Sequence, residues 1–273
     1  MGAETRARST AVESERAAYD EGAVLERSNA WVQRVHHVLE TPNTVRGERL
    51  FARLIAESVR NGGRVLDIGC ATGQTARQAV ELGASEVLAV DLSRRFLEEA
   101  ERLGDGEGKI EYRLHDLHDP LDGRFDLVVG RAVLHHIDWR SFLQRTFTEN
   151  LHPGGQMVFM EPMTHPMTVA FHRLVRSAHT PGEYPLSRRD VRWLEQTFTQ
   201  CRVHPINFLS FPAGVLSSYL FRTPDNALTR ATDAIDRRLA GCRSLRGYGR
   251  QGILEIEKPS SNGVIRQDQS GAV

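Results

Sequence analysis

The stretch that constrains this chain most is Arg64-Val65-Leu66-Asp67-Ile68-Gly69-Cys70-Ala71-Thr72-Gly73. A short apolar run ends in two glycines, and Gln74 to Val80 behind them reads as helix. Strand, glycine turn and helix start therefore lie in one line. Such a turn lets backbone N–H groups approach a ligand closely, and the helix N-terminus favours an anionic group. A nucleotide-like ligand is the first expectation; the alternative is an ordinary βα turn whose glycines serve tight packing. The spacing departs from the dinucleotide fingerprint G-x-G-x-x-G, because Ala71 stands at its middle glycine and Gln74 at its third.

Beyond this unit, strands and helices alternate. Strands are expected at 64–68, 86–91, 110–114, 125–130 and 156–160. Helices are expected at 73–82, 93–103 and 139–150, with His152-Pro153-Gly154-Gly155 as a turn. This pace of alternation predicts an α/β fold with a doubly wound, mainly parallel sheet. After strand five, 163–177 reads as an apolar helix or lid. Ser187 to Thr199 reads as a helix with a capping-box-like start, and strand six is placed at 202–209. Two helices (211–220 and 226–239) and a last strand at 252–258 follow.

Ligands of open α/β sheets bind beyond the carboxyl ends of the strands. Asp67 and Gly69, Asp91, Asp116, and Gly130 with Arg131 all fall at such ends. A carboxylate at Asp91 can accept from ribose hydroxyls, or cap the helix that follows it.

The run Asp67-x-Gly69-x-x-x-Gly73 resembles the first motif of the class I S-adenosylmethionine-dependent methyltransferases, acidic-x-Gly-x-Gly-x-Gly, departing at Ala71. Phe125-Asp126-Leu127-Val128-Val129-Gly130-Arg131 through Leu134-His135-His136 resembles the family's fourth motif. The resemblance covers about residues 46–161. It implies a Rossmann-like methyltransferase fold of seven strands, the seventh antiparallel between five and six, and S-adenosyl-L-methionine as cofactor. The implied cofactor residues are Asp67, Gly69, Cys70, Ala71, Gly73, Gln74, Asp91, Leu92, Asp116, Leu117, Gly130 and Arg131. Asp116 would accept from the adenine amine, with the N–H of Leu117 facing a ring nitrogen. The carbonyl of residue 130 or 131 would face the methionine amine. The Arg131 side chain is left to the substrate, to the methionine carboxylate, or to neither. There is also a fainter likeness to bacterial terpenoid C-methyltransferases of the teleocidin type, which methylate a prenyl-derived alkene and trigger ring closure.

An oxygen or nitrogen acceptor needs a base. His135 and His165 are the candidates for it, each with packing as its alternative. His136, Glu161, Phe171, Phe208 and Tyr19 are the candidate substrate contacts, in an apolar setting that suits a hydrophobic small molecule. The function expected is methyl transfer to such a molecule, in secondary-metabolite biosynthesis. The competing reading is a Rossmann-type nucleotide binder or NAD-dependent oxidoreductase.

Composition narrows the classes. The 273 residues carry 35 basic and 35 acidic side chains, so no charge excess recruits nucleic acid or an acidic membrane. Cys70, Cys201 and Cys242 form neither a metal pattern nor a disulfide framework, which suits a reducing cytoplasm. No apolar run approaches the ~20 residues of a membrane span. The expected organisation is an N-terminal helical lid or arm (1–45), a methyltransferase domain (46–258) with a substrate cap at about 162–200, and a polar tail (259–273). The arm carries Ala18, Val24, Leu25, Trp31 and Val35 as an apolar stripe, which closes over the site or is exchanged in a homo-oligomer.

Overall fold

A computed structural model describes residues 29–167 and 185–260. Tyr19, Phe171, most of the expected arm helix, most of the 163–177 lid and most of the tail lie outside the described residues.

Seven strands form one sheet: β1 (Arg64–Ile68), β2 (Glu86–Asp91), β3 (Ile110–Leu114), β4 (Phe125–Arg131), β5 (Leu151–Pro162), β6 (Cys201–Ile206) and β7 (Gln251–Glu257). Their order is β3-β2-β1-β4-β5-β7-β6. β1 to β5 are parallel, and β7 runs antiparallel between β5 and β6. This is the seven-stranded arrangement that the resemblance implies.

Alternation along the strands divides the core into two layers. Leu66, Ile68, Val128, Phe159 and Leu254 join one cluster, while Val65, Leu127, Val129, Val158 and Ile253 join the other. The helices are α1 (Asn29–Leu39), α2 (Pro42–Val59), α3 (Gln74–Glu81), α4 (Arg94–Leu103), α5 (Trp139–Glu149), α6 (Arg188–Thr197), α7 (Ser210–Leu220) and α8 (Ala227–Leu239). Phe142, Leu143 and Phe147 of α5 with Val191 and Leu194 of α6 cover the first layer. Phe51, Leu54, Ile55 and Val59 of α2 with Ala76 and Ala79 of α3 cover the second.

Several expectations shift. Helix α2 begins at Pro42, inside the expected N-terminal segment 1–45, with Thr41 at its N-cap, because proline's fixed φ and missing N–H suit the first turn. Its Phe51, Leu54, Ile55 and Val59 are buried in the core. Strand β5 starts at Leu151 and runs through the expected turn; Gly154 takes φ 82° and the pairing with β4 slips between Phe125 and Leu127. β6 stops at Ile206 because Asn207 takes φ 60°. Within the expected substrate cap, α6 is an ordinary crossover helix. Its start is the reciprocal box of Ser187 and Asp190.

Two polar devices fix the ends of this frame. Asp236 of α8 accepts from the N–H groups of Phe208, Leu209 and Ser210 and so caps α7. Lys258, just past β7, buries its ammonium against the carbonyls of Phe147 and Leu151, 2.6 and 2.8 Å away. Among the described residues no helix is long and apolar enough to cross a membrane.

Candidate active site

The glycine turn after β1 is built from three left-handed residues: Gly69 (φ 61°), Ala71 (φ 46°) and Gly73 (φ 75°). Only glycine takes this conformation without cost, so Ala71 sits there under strain. Its N–H donates to Asp91 Oδ2 at 2.8 Å, which holds it in place. The other oxygen of Asp91 accepts from Ser93 N–H at 2.8 Å, and Ser93, not Asp91, caps α4. Asp91 thus ties the end of β2 to the turn.

The first and third turn positions have different reasons for their glycines. A Cβ on Gly69 would stand 2.6 Å from the Val133 side chain, and one on Gly73 would meet the Tyr112 hydroxyl. Gly130, beside Gly69 across the sheet, is also pressed by Val133, at 2.8 Å. Val133 therefore sits over the ends of β1 and β4 together.

Past the turn lies a cleft of about 180 Å³, open on one side. Of the residues singled out in the sequence, Gly69, Ala71, Asp91, Leu92, Asp116, Leu117, Arg131 and His136 line it. Phe96, His115, His118, Ala132, Val133 and Ile137 join them. Apolar walls with a few convergent polar groups are the usual make-up of a nucleoside-sized site. Asp67, Cys70, Gly73 and Gln74 do not line the cleft: Asp67 is buried in β1, Cys70 and Gly73 are buried in the turn and Gln74 is exposed at the start of α3. Gly130 is buried beneath Val133.

Asp116 Oδ1 accepts from the backbone N–H of His118, and lies 2.8 Å from its ring Nδ1. The loop that carries Asp116 and Leu117 is pinned from α5 by Arg145, which donates to the carbonyls of Leu117, His118 and Asp119. No local pattern announces Arg145. Phe96 was legible in principle as the first apolar side chain of the helix after Asp91.

The Arg131 side chain, which lines the cleft, has protein partners of its own. Its two terminal nitrogens donate to Glu48 of α2 at 3.1 and 2.8 Å, and its guanidinium stacks 4.3 Å over Phe51. The side chain ties α2 to the rim of the cleft.

Glu161, expected to touch substrate, is fully buried instead. Its Oε1 accepts from the N–H groups of Val133 and Leu134 at 2.9 and 3.0 Å, and its Oε2 lies 2.9 Å from His135 Nδ1. A carboxylate that accepts here places the imidazole proton on Nδ1 and leaves the lone pair on Nε2. His165, the other candidate base, has both nitrogens committed. Met167 N–H donates to Nδ1, so Nε2–H donates to the carbonyl of Phe208 at 2.8 Å. Burial also lowers its pKa, which keeps the ring neutral. His165 is a packing residue, set edge-on against Phe211, and Phe208 reaches it through its backbone carbonyl.

Three buried polar atoms near this edge have no hydrogen-bond partner among the described residues: Asp67 Oδ2, His115 Nε2 and Arg131 Nε. Each such atom costs about 1–3 kcal/mol when left unmade. Complete burial pushes the Asp67 carboxyl up to about 8. An acidic group behind the turn, acidic groups after β2 and β3, and apolar walls between them suit a ligand with a ribose, a flat base and a cationic amino acid end. S-adenosylmethionine has these parts, and the residues fit it.

Residues 66–159 match the family described as "Methyltransferase domain". Fold, site and match together make this span a class I S-adenosylmethionine-dependent methyltransferase domain. Its similarity to the curated relatives below covers less than half of the chain. The chain is 38% identical over 86 residues to a ribosomal protein L11 methyltransferase of Thermosipho melanesiensis, covering 31% of this chain and 33% of that protein. It is 31% identical over 123 residues to a ubiquinone biosynthesis O-methyltransferase of Xanthomonas oryzae pv. oryzae, covering 44% and 49%. The match thus spans a third to a half of these relatives' lengths. Among solved structures, coclaurine N-methyltransferase bound to N-methylheliamine and SAH shares the fold. Its TM-score is 0.50 at 13% identity, over 77% of this chain and 72% of that one.

Proposed function

We propose that this chain transfers the methyl group of S-adenosylmethionine to a hydrophobic small molecule, in secondary metabolism. The observation that carries the reading is the cleft itself. It joins the glycine turn, Asp91 and Asp116 at the carboxyl edge of the sheet, with apolar walls between them. The sulfonium of the bound cofactor supplies an already activated methyl group. The protein has to hold an acceptor in line with it and keep water away.

Val133 and Leu134, fixed by Glu161, keep the strand-four loop closed over the turn. His135, oriented by the same carboxylate, is buried behind His136 of the cleft wall, with ring centroids 4.0 Å apart, and its Nε2 is the atom that would take a proton. An oxygen or nitrogen acceptor would lose its proton there during transfer. An alkene acceptor would need no base for the transfer itself and would lose a proton only from the resulting cation. His135 therefore acts on the rate in the first case and on the product distribution in the second.

Isothermal titration with S-adenosylhomocysteine, followed by single-turnover assays against a panel of apolar phenols, amines and prenylated compounds, tests this. Saturable S-adenosylhomocysteine binding with methyl transfer to one panel class is the expected result. Tight binding of NAD with no response to S-adenosylhomocysteine would remove the reading.

A further inference from the structure

The same sheet edge holds a second cavity, of about 320 Å³, between α1 and α7. Val38, Phe211, Val215 and Tyr219 give it apolar walls. Two guanidinium groups, those of Arg34 and Arg250, also face it, and no carboxylate of the described residues lines it. Arg34 has a place, stacked 4.3 Å over the Tyr219 ring.

Arg250 is different. Its Nη1 is buried with no hydrogen-bond partner among the described residues. Burial disfavours its charge with no opposing charge to offset it. The face of Phe211, 5.7 Å from the guanidinium carbon, offers a π contact but no acceptor. Arg250 is half-buried, and a guanidinium nitrogen buried without an acceptor is costly, a cost that an anionic ligand in the cavity would remove.

The backbone fixes where that cation stands. Arg250 N–H donates to the carbonyl of Ile206 at 3.0 Å, and its own carbonyl accepts from Met163 N–H at 3.0 Å. The next residue, Gln251, pairs with Pro162 at the end of β5. Arg250 is thus clamped between the ends of β5 and β6. β7 lies two places from β4 in the sheet. At ~4.8 Å per strand the backbones of Arg250 and Arg131 lie about 10 Å apart across the sheet, and the register, with Arg131 level with Met160 and Ile253, sets them a further ~10 Å apart along it.

We propose that this cavity receives the acceptor and that Arg250 binds an oxyanion, a carboxylate or a phosphate-type group, carried by an otherwise apolar molecule. The planar fork of a guanidinium matches either group with two parallel hydrogen bonds. The inference rests on the methyltransferase reading and adds the charge of the acceptor to it.

Calorimetric titration of the full chain with octanoate, octyl phosphate and octanol, each with and without S-adenosylhomocysteine, tests the proposal. Charge-assisted hydrogen bonds predict that at least one anion binds roughly tenfold or more tighter than octanol. Arg250→Gln should remove that preference and Arg250→Lys should keep part of it, with S-adenosylhomocysteine affinity equal in all three proteins. The better anion identifies the oxyanion. Equal affinity for the three probes, or a preference that survives Arg250→Gln, overturns the proposal. Anion preference without S-adenosylhomocysteine binding would remove the methyltransferase reading and leave the Arg250 site standing; the reverse would do the opposite. Arg250→Met provides a check on folding. An unpartnered guanidinium predicts an unchanged or higher melting temperature, whereas a clear fall would mean that its role is structural and sink the idea.

Discussion

Glu161 and His135 form a pair in which one buried carboxylate orients an imidazole 2.9 Å away while its second oxygen holds the loop on which that imidazole rides. The two functions cannot be separated by removing the side chain, but they can be separated by choice of replacement. Glu161→Gln keeps an acceptor for Val133 and Leu134 N–H and turns an amide donor toward His135 Nδ1, which forces the proton to Nε2. With an oxygen or nitrogen acceptor, turnover should fall by about 10²–10⁴-fold. His135→Asn should fall by a similar factor, and the double variant no further, because the two act as one unit. Glu161→Ala should in addition destabilise the fold by about 2–4 kcal/mol, since two buried N–H groups lose their acceptor. Denaturant titration separates the two variants.

Asp67 predicts a pH dependence of stability. Its carboxyl is raised from an ordinary value near 3.8 to about 8 in the folded chain by burial. Between those values the native state holds a proton that the unfolded chain has released. The stability from this group is therefore complete below the unfolded value and is lost as pH rises through the folded one. From pH 6 to 9 the protein without cofactor should lose on the order of 2 kcal/mol, and Asp67→Asn should flatten this slope. A cationic ligand beside Asp67 restores the ionised form, so binding at pH 7 should release a proton. Calorimetry in two buffers of different ionisation heat would detect it. An unchanged slope in Asp67→Asn would show that Asp67 is not the titrating group.

Ala71 is the departure from the family's glycine pattern, and its φ of 46° gives that departure a cost. Ala71→Gly should stabilise the protein by about 1 kcal/mol by relieving left-handed strain, and should leave cofactor affinity within a few fold. Gly69→Ala should do the reverse, costing a few kcal/mol through the same strain and the clash with Val133. Adding Val133→Ala to Gly69→Ala should recover the clash but not the strain. Melting temperatures of the four proteins measure both parts.

Much of this frame could be read from local pattern. The apolar runs at Val65–Ile68 and Leu127–Val129 are short, rich in branched side chains and bounded by turn residues, so strands were the one consistent reading. The carboxyl-edge acids followed from strand ends alone. What pattern could not supply was pairing across long stretches of chain. Arg131 is claimed by Glu48, which lies on a helix before the first strand, and Glu161 is turned inward by the loop after β4. Each looked available for a ligand because its partner is distant in sequence. For His165 the sequence left a base and a packing role both open, since Phe208, which supplies its acceptor from the backbone, comes much later in the chain. Alanine is close to glycine in size, and it is the backbone angle at Ala71, which no local pattern reveals, that carries the cost.

The position of β7 sets the order in which the protein can be finished. Each of β1 to β5 meets a parallel neighbour by the time β5 has been made, but β6 has β7 as its one partner in the sheet. On the ribosome, every growing chain therefore passes through a stage in which β5 and β6 both offer bare edges, from the synthesis of Ile206 until Glu257 emerges. Bare edges recruit other strands, so this interval is when the nascent protein is most open to misassembly. The closing strand ends that exposure on both sides at once, and Lys258, one residue later, latches it to α5.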